Sequence, residues 1–355
     1  MKEKILPKSH ISEFYEGLTD KYSFYAPIER KGNVMFEEIK NPEDIELDYL
    51  NSKIPPKEVL FPQMEVLFEY ENIDNEVILK EPQHLEEKQI IFGIRPCDAH
   101  SFVLLETFFD FGQFKDTNFL KRRENTILIG LGCNNPQQTC FCTSLGGSPF
   151  QKEDMDIFLV DLGEKYLVQS ISEKGAEVME KISFLEEANE NDLETAMKLA
   201  KNAEISIENQ LEFKDLFKIL DKNFTHPLWK EISDTCIGCG SCAFLCPTCH
   251  CFDVVDENDH YNNRGRRVRI WDTCQSCLYT LHTSGHNPRP TRIERCRNRI
   301  MHKFCYYPEN YDLIGCVGCG RCIQYCPVNN DLRNIIKKFN QLKKEKEEEE
   351  KLVVA

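Results

Sequence analysis

The chain has 355 residues, enough for two domains with a sizeable core in each. Its formal net charge of −15, from 44 basic and 59 acidic residues, argues against a general affinity for nucleic acid, and no apolar run approaches the roughly 18 residues that a membrane span needs. Cysteine is the outlier at 18 residues, many of them at two-residue gaps. The start, MKEKILPKSHISEFY, has no apolar signal core, so a cytoplasmic chain with reduced, metal-binding thiols is expected rather than a disulfide scaffold.

In chain order, VMFEEI and EVLFPQMEVLFEY carry strand-like apolar content within the first 85 residues, and KNPEDIELDYLNSKIPPKE reads as loop. QIIFGI (89–94) predicts a buried strand, Asp98 an N-cap for a helix through AHSFVLLETFFDF, and TILIGLG (126–132) a second buried strand. That order predicts a right-handed crossover in a parallel sheet. DIFLVDL and KYLVQSI, around Gly163-Glu164, predict a hairpin. Residues 172–222 have the composition and spacing of two or three amphipathic helices, and KKFNQLKKEKEEEEKLVVA that of a charged helix fading into disorder.

The strongest signal occurs twice. Cys236-x2-Cys239-x2-Cys242-x3-Cys246-Pro247 is the first copy, and Cys316-x2-Cys319-x2-Cys322-x3-Cys326-Pro327 the second. Three thiolates of one tight loop can face one iron–sulfur cube, while the fourth, opening a helix that leads away, reaches the other. Cys236, Cys239, Cys242 and Cys326 are therefore expected to hold one [4Fe-4S] cluster, and Cys316, Cys319, Cys322 and Cys246 a second. Gly238, Gly240, Ser241, Gly318 and Gly320 would let backbone N–H groups approach the sulfurs. Zinc knuckles do not need this repeated four-cysteine run ending in Cys-Pro.

Further cysteines suggest further sites. Cys97 and Cys133 follow the carboxyl ends of the two predicted strands, where ligands bind in open α/β sheets, and Cys140 and Cys142 lie in the next loop. The four could hold a third cluster or a zinc, or pack as buried thiols. Cys249, Cys251, Cys274 and Cys277 make two close pairs for a fourth cluster or a structural zinc, with Cys296 or Cys305 as substitute ligands. His250, His282 and His286 could ligate or donate hydrogen bonds. Residues 264–303 carry Arg264, Arg266, Arg267, Arg269, Arg289, Arg292, Arg295, Arg297, Arg299 and Lys303 against Asp272 and Glu294. This basic stretch reads as salt bridging or solvation, or as charge compensation for iron–sulfur centres.

The expected organisation is an α/β domain over 1–171, a helical connector over 172–227, a dicluster ferredoxin domain over 228–335 with a Cys/Arg-rich insertion at 252–312, and a charged tail over 336–355. The fold class is thus an α/β N-terminal domain plus an α+β bacterial-type two-[4Fe-4S] ferredoxin domain with a large insertion between the cluster motifs. There is no acid–base or nucleophile constellation, no GxGxxG fingerprint and no P-loop, so no catalytic residue is expected.

CIGCGSCAFLCPTCHCFDVVDE, RGRRVRIWDTC, LHTSGHNPRPT, MHKF, GIRPCDAHS and CNNPQQTCFCTSLGGSPF resemble the iron–sulfur beta subunits of soluble sulfhydrogenases and the A subunit of anaerobic sulfite reductases. The resemblance covers roughly residues 85–330. It implies an electron-relay subunit in a hetero-oligomeric cytoplasmic complex of an anaerobe. Its partners would be a flavoprotein handling NAD(P)H and a hydrogenase- or sulfite-reductase-type catalytic subunit, or ferredoxin. GIRPCD is also similar to GTPCQ in the FAD-binding beta subunits of deazaflavin-reducing hydrogenases. Gly93, Gly130 and Gly132 fit close backbone approach to a cofactor, and that likeness implies the alternative, a flavin bound near Gly130, Gly132 and Cys133 that reduces a deazaflavin or similar carrier; FAD is not expected on the leading reading.

Overall fold

The computed structural model describes residues 3–74, 76–81, 86–208, 210–259 and 261–354. The chain divides into two compact units. The first comprises residues 1–136, 148–206 and 250–271, and the second residues 137–147, 207–249 and 272–355. These units depart from the expected boundaries at 171 and 227. The helices Glu173–Glu180 and Glu190–Ser206 belong to the first unit, and so does the hairpin between the cysteine runs, whereas residues 137–147 belong to the second.

The described strands are β1 (Glu3–Pro7), β2 (Ser23–Arg30), β3 (Asn33–Glu38), β4 (Met64–Ile73), β5 (Glu76–Lys80), β6 (Gln89–Ile94), β7 (Thr126–Leu131), β8 (Ile157–Asp161), β9 (Lys165–Ser170), β10 (Glu186–Glu187), β11 (Phe252–Asp259) and β12 (Arg264–Trp271). They form an eight-stranded sheet in the order β10-β1-β9-β8-β7-β6-β2-β3 and a four-stranded sheet in the order β11-β12-β4-β5. The predicted parallel β6–β7 pair, joined through the helix Pro96–Phe109, and the predicted β8–β9 hairpin are both present.

Strands β6 and β7 are buried along their whole length, as parallel strands covered on both faces must be. Alternate residues divide between two cores. Ile90, Phe92, Ile127 and Ile129 pack on one side with Phe14, Phe24 and Val168. Ile91, Ile94 and Leu128 pack on the other with Phe102, Leu105 and Phe158.

Two local expectations are corrected. The EVLF segment is not a strand: Lys57–Leu60 is a helical turn after Pro55-Pro56, and the strand starts at Met64. Asp98 does not cap its helix. Pro96 opens the helix with its fixed φ, Arg95 stands at the N-cap, and Asp98 is wholly buried in the first turn.

The second unit has its own core, in which Trp229, Phe304, Ile336 and Phe339 are buried with Phe141 and Leu220. None of the described strands belongs to it; the two strands within 228–335, β11 and β12, belong to the first unit. Its longest helix is Leu332–Val354, the charged tail.

Candidate iron–sulfur centre

Both cysteine runs adopt the same local backbone, and glycine is the reason. Gly238 and Gly240 have φ of 70° and 76°, and Gly318 and Gly320 have 66° and 74°. L-residues avoid this left-handed region, and alternating it with ordinary backbone turns successive N–H groups inward, as anion-binding nests require. Each run then makes one helical turn, Ser241–Phe244 or Arg321–Gln324, with its second glycine at the N-cap. The fourth cysteine thus follows a helical turn. It does not open a helix as expected: Cys246 leads through a turn toward β11, and Cys326 through a turn toward the tail helix.

The segment 137–147 lies against the second run. Phe141 N–H donates to the Gly318 carbonyl at 2.9 Å, and the Cys140 thiol faces the Cys319 carbonyl at 3.8 Å. A Cβ on Gly318 would stand 2.5 Å from the Cys142 nitrogen, whereas one on Gly238 would meet only the Gln275 carbonyl at 3.4 Å. Gly318→Ala should therefore destabilise the second unit by about 1–3 kcal/mol beyond the conformational cost it shares with Gly238→Ala. Chemical unfolding of the two variants side by side checks this; equal losses would show that the close approach at Gly318 is of no consequence.

One cavity of the second unit is lined by Cys236, Cys239 and Cys242 of the first run and by Cys322 and Cys326 of the second, together with Cys296 and Arg299. The four cysteines expected to share the first cluster thus face one space. Gln275, buried beside them, was not singled out in the sequence. Its carboxamide oxygen stands 3.9 Å from Cys236 Sγ and 3.7 Å from Cys296 Sγ, and its Nε2 donates to Cys274 Sγ at 3.4 Å and to the Arg295 carbonyl at 3.1 Å. A hydrogen bond from the Cys296 thiol holds Cys236 below the ordinary thiol range. Burial pushes Cys242 up to about 11, opposed by the Arg299 charge. Cys239 is exposed, so one edge of this site reaches the surface.

The second expected set has a different setting. Burial pushes Cys316 up to about 12, against the nearby Lys303 charge, and Cys246 and Cys322 both lie within electrostatic reach of it. Thr248 bridges the surroundings: its hydroxyl lies 3.3 Å from Cys246 Sγ and donates to the Gly315 carbonyl at 2.8 Å. Lys303 Nζ donates to both Thr248 Oγ1 and the Gly315 carbonyl at 2.8 Å. Lys303 sits in a wider π-helical stretch, His302–Tyr306, which follows the helix Arg292–Met301. Such single-turn widenings are frequent at functional sites.

The other cysteines fall as follows. Cys97 lies in the first turn of the helix after β6 and Cys133 just past β7, both in the first unit, while Cys140 and Cys142 are in the second. Burial raises the Cys133 thiol, opposed by Arg95. Cys249 packs against Cys246, Cys274 against Gln275, and Cys277 is exposed; Cys251 belongs to the first unit. Cys305 is buried in the second-unit core. His250 stacks on Phe108 at 3.7 Å, and His282 and His286 are exposed. Among the described residues, no three His, Cys, Asp or Glu side chains form a group suited to a single metal ion.

The glycines suggested for close approach to a cofactor have packing roles. A Cβ on Gly130 would collide with Met155, one on Gly132 would stand 3.0 Å from Phe150, and one on Gly93 would meet Leu47 at 2.6 Å. The space they leave is taken by side chains of the same unit. The basic stretch divides in two. On the hairpin, Arg264, Arg266 and Arg267 pair with Asp259, Glu257 and Asp256, and Arg269 with Glu65 and Asp116. In the second unit, Arg299 and Lys303 are buried among thiols instead.

Nested glycine turns, convergent thiols and buried cations suit a cluster that carries net negative charge with its thiolates. A family model described as a 4Fe-4S dicluster domain matches residues 235–330. The chain is 32% identical over 323 residues to sulfhydrogenase 2 subunit beta of Pyrococcus furiosus, an alignment covering 91% of this chain and 93% of that one. No solved structure matches. With identity sustained across nearly the whole of both chains, and both cysteine runs inside the matched dicluster domain, the chain belongs to the family of sulfhydrogenase beta subunits.

Proposed function

We propose that this iron–sulfur electron-transfer subunit relays single electrons between a flavoprotein that handles NAD(P)H and a hydrogenase-type catalytic subunit. In the relay, Cys236, Cys239, Cys242 and Cys326 hold one [4Fe-4S] cluster and Cys316, Cys319, Cys322 and Cys246 the other. Such clusters, when bound, take up and release one electron at a time without bond chemistry. The observation that carries the reading is the single cavity that Cys326 shares with Cys236, Cys239 and Cys242. Exchange of the fourth ligand brings two clusters side by side, which a relay requires. The exposed Cys239 supports electron entry or exit at that edge.

The test is iron, acid-labile sulfide and zinc per chain on protein purified without oxygen. About 8 iron atoms, for two four-iron cubes, are expected as the minimum. A count of about 12 or 16 would assign clusters to cysteines outside the two runs as well. Zinc with little iron would overturn the relay.

A further inference from the structure

The helix Arg292–Met301 and the π-helical stretch after it present Cys296, Arg299 and Lys303 at spacings of three and four, hence on one face. Cys296 and Arg299 both line the cavity of the first thiol set. Arg299 is 8% exposed. Its Nη1 donates to Cys249 Sγ at 3.4 Å, and its buried Nη2 has no hydrogen-bond partner. Cys242 from the first set and Cys322 and Cys246 from the second, with Cys249, lie within electrostatic reach of it.

A buried guanidinium without a carboxylate is a poor stabilising device, because the desolvation cost goes unreturned. It becomes favourable if negative charge arrives at the site it faces. Lys303 differs, since its ammonium already donates to Thr248 and Gly315 and borders the second set. Arg299 alone of the two lines the shared cavity, where Cys242 of the first set and Cys322 of the second line it too.

We propose that Arg299 is the residue that sets the reduction potentials of both cluster sites, a fixed positive charge beside thiols of both sets whose Nη2 has no other partner. The inference rests on the two-cluster reading above. Each one-electron reduction adds one negative charge beside a buried guanidinium, and a buried cation acts at low effective dielectric. Cys249 then has a role outside any cluster: it orients the guanidinium through Nη1 and packs against Cys246.

The test is a redox titration of the anaerobically purified chain, followed by electron paramagnetic resonance, on wild type, Arg299→Gln, Arg299→Lys and Arg266→Gln. Arg266 lies on the hairpin, exposed and paired with Glu257, and so controls for net charge. In Arg299→Gln both midpoints should fall so that at a given potential the reduced-to-oxidised ratio drops at least tenfold, or about 59 mV for a one-electron couple. Arg299→Lys should show less than half that fall, and Arg266→Gln none. Full iron in Arg299→Gln with unmoved midpoints would overturn the proposal, as would an equal fall in Arg266→Gln. If Arg299→Gln does not retain iron, Arg299→Lys decides: iron restored supports the charge, and iron equally lost assigns the residue to packing. Wild-type protein without iron would sink the relay reading itself, and the iron count shows this independently of any midpoint.

Discussion

Replacing Cys326 with serine should remove about four of about eight iron atoms, and the centre lost should be the one lost in Cys239→Ser. Cys326 lies in the second run, yet it lines the cavity of the first. Cys319→Ser and Cys246→Ser should form the complementary pair and remove the other centre. Resonance spectra of the four reduced variants give the assignment. If Cys326→Ser instead matches Cys319→Ser, each run serves its own cluster and the exchange of ligands is wrong. Electron flux through the assembled complex should fall in all four, because a relay with one centre missing is interrupted wherever the gap lies. Partner binding should persist, since the replaced side chain differs by one atom.

The second large effect concerns the first unit. Glu65, on β4, faces Arg269 directly across the β4–β12 pair. Its carboxylate accepts from Arg269 Nε at 3.1 Å and from the Arg122 guanidinium, and all three side chains are buried. Arg269 also stacks over Phe61 at 4.9 Å. Glu65→Leu leaves two buried guanidinium groups without their shared carboxylate and should cost about 3–5 kcal/mol, read as a lower denaturant midpoint at unchanged slope. A loss under about 1 kcal/mol, the range of exposed pairs, would mean that water reaches the site.

Acid should act in the same direction. Burial alone would raise the Glu65 carboxyl, but the charges and hydrogen bonds of Arg269 and Arg122 outweigh it and hold the group below the ordinary carboxylate range. Because the folded value is depressed, this stabilisation is complete above the unfolded carboxyl's titration range. It is lost as the pH falls through the folded value.

The chemistry of the chain was legible because cluster ligation is written in short spacings. Two runs of three cysteines at two-residue gaps, each closed by Cys-Pro, specify their turns locally, and the positive φ of Gly238, Gly240, Gly318 and Gly320 is the backbone those turns demand. The buried β6–β7 pair was legible for a similar reason, since continuous apolar runs flanked by turn residues have few other uses. The glycines near Cys133 were open to more than one reading because a missing Cβ looks alike whether a cofactor or Met155 fills the space.

The ten basic residues between the runs mark the boundary between the two kinds of information. From the sequence, salt bridging and cluster compensation were open to all of them equally. Strand pairing gave Arg264, Arg266, Arg267 and Arg269 to carboxylates of β11, β4 and the loop before Thr117, while a helix face turned Arg299 and Lys303 among thiols. The spacing of Cys296, Arg299 and Lys303 was present in the sequence, but a helical stripe names no neighbour. The sequence by itself determined the two cysteine runs and the turns that carry them, because those turns are set by local backbone. Only the tertiary structure decided which charges stand beside them, because a buried cation's partner is chosen by packing between segments far apart in the chain.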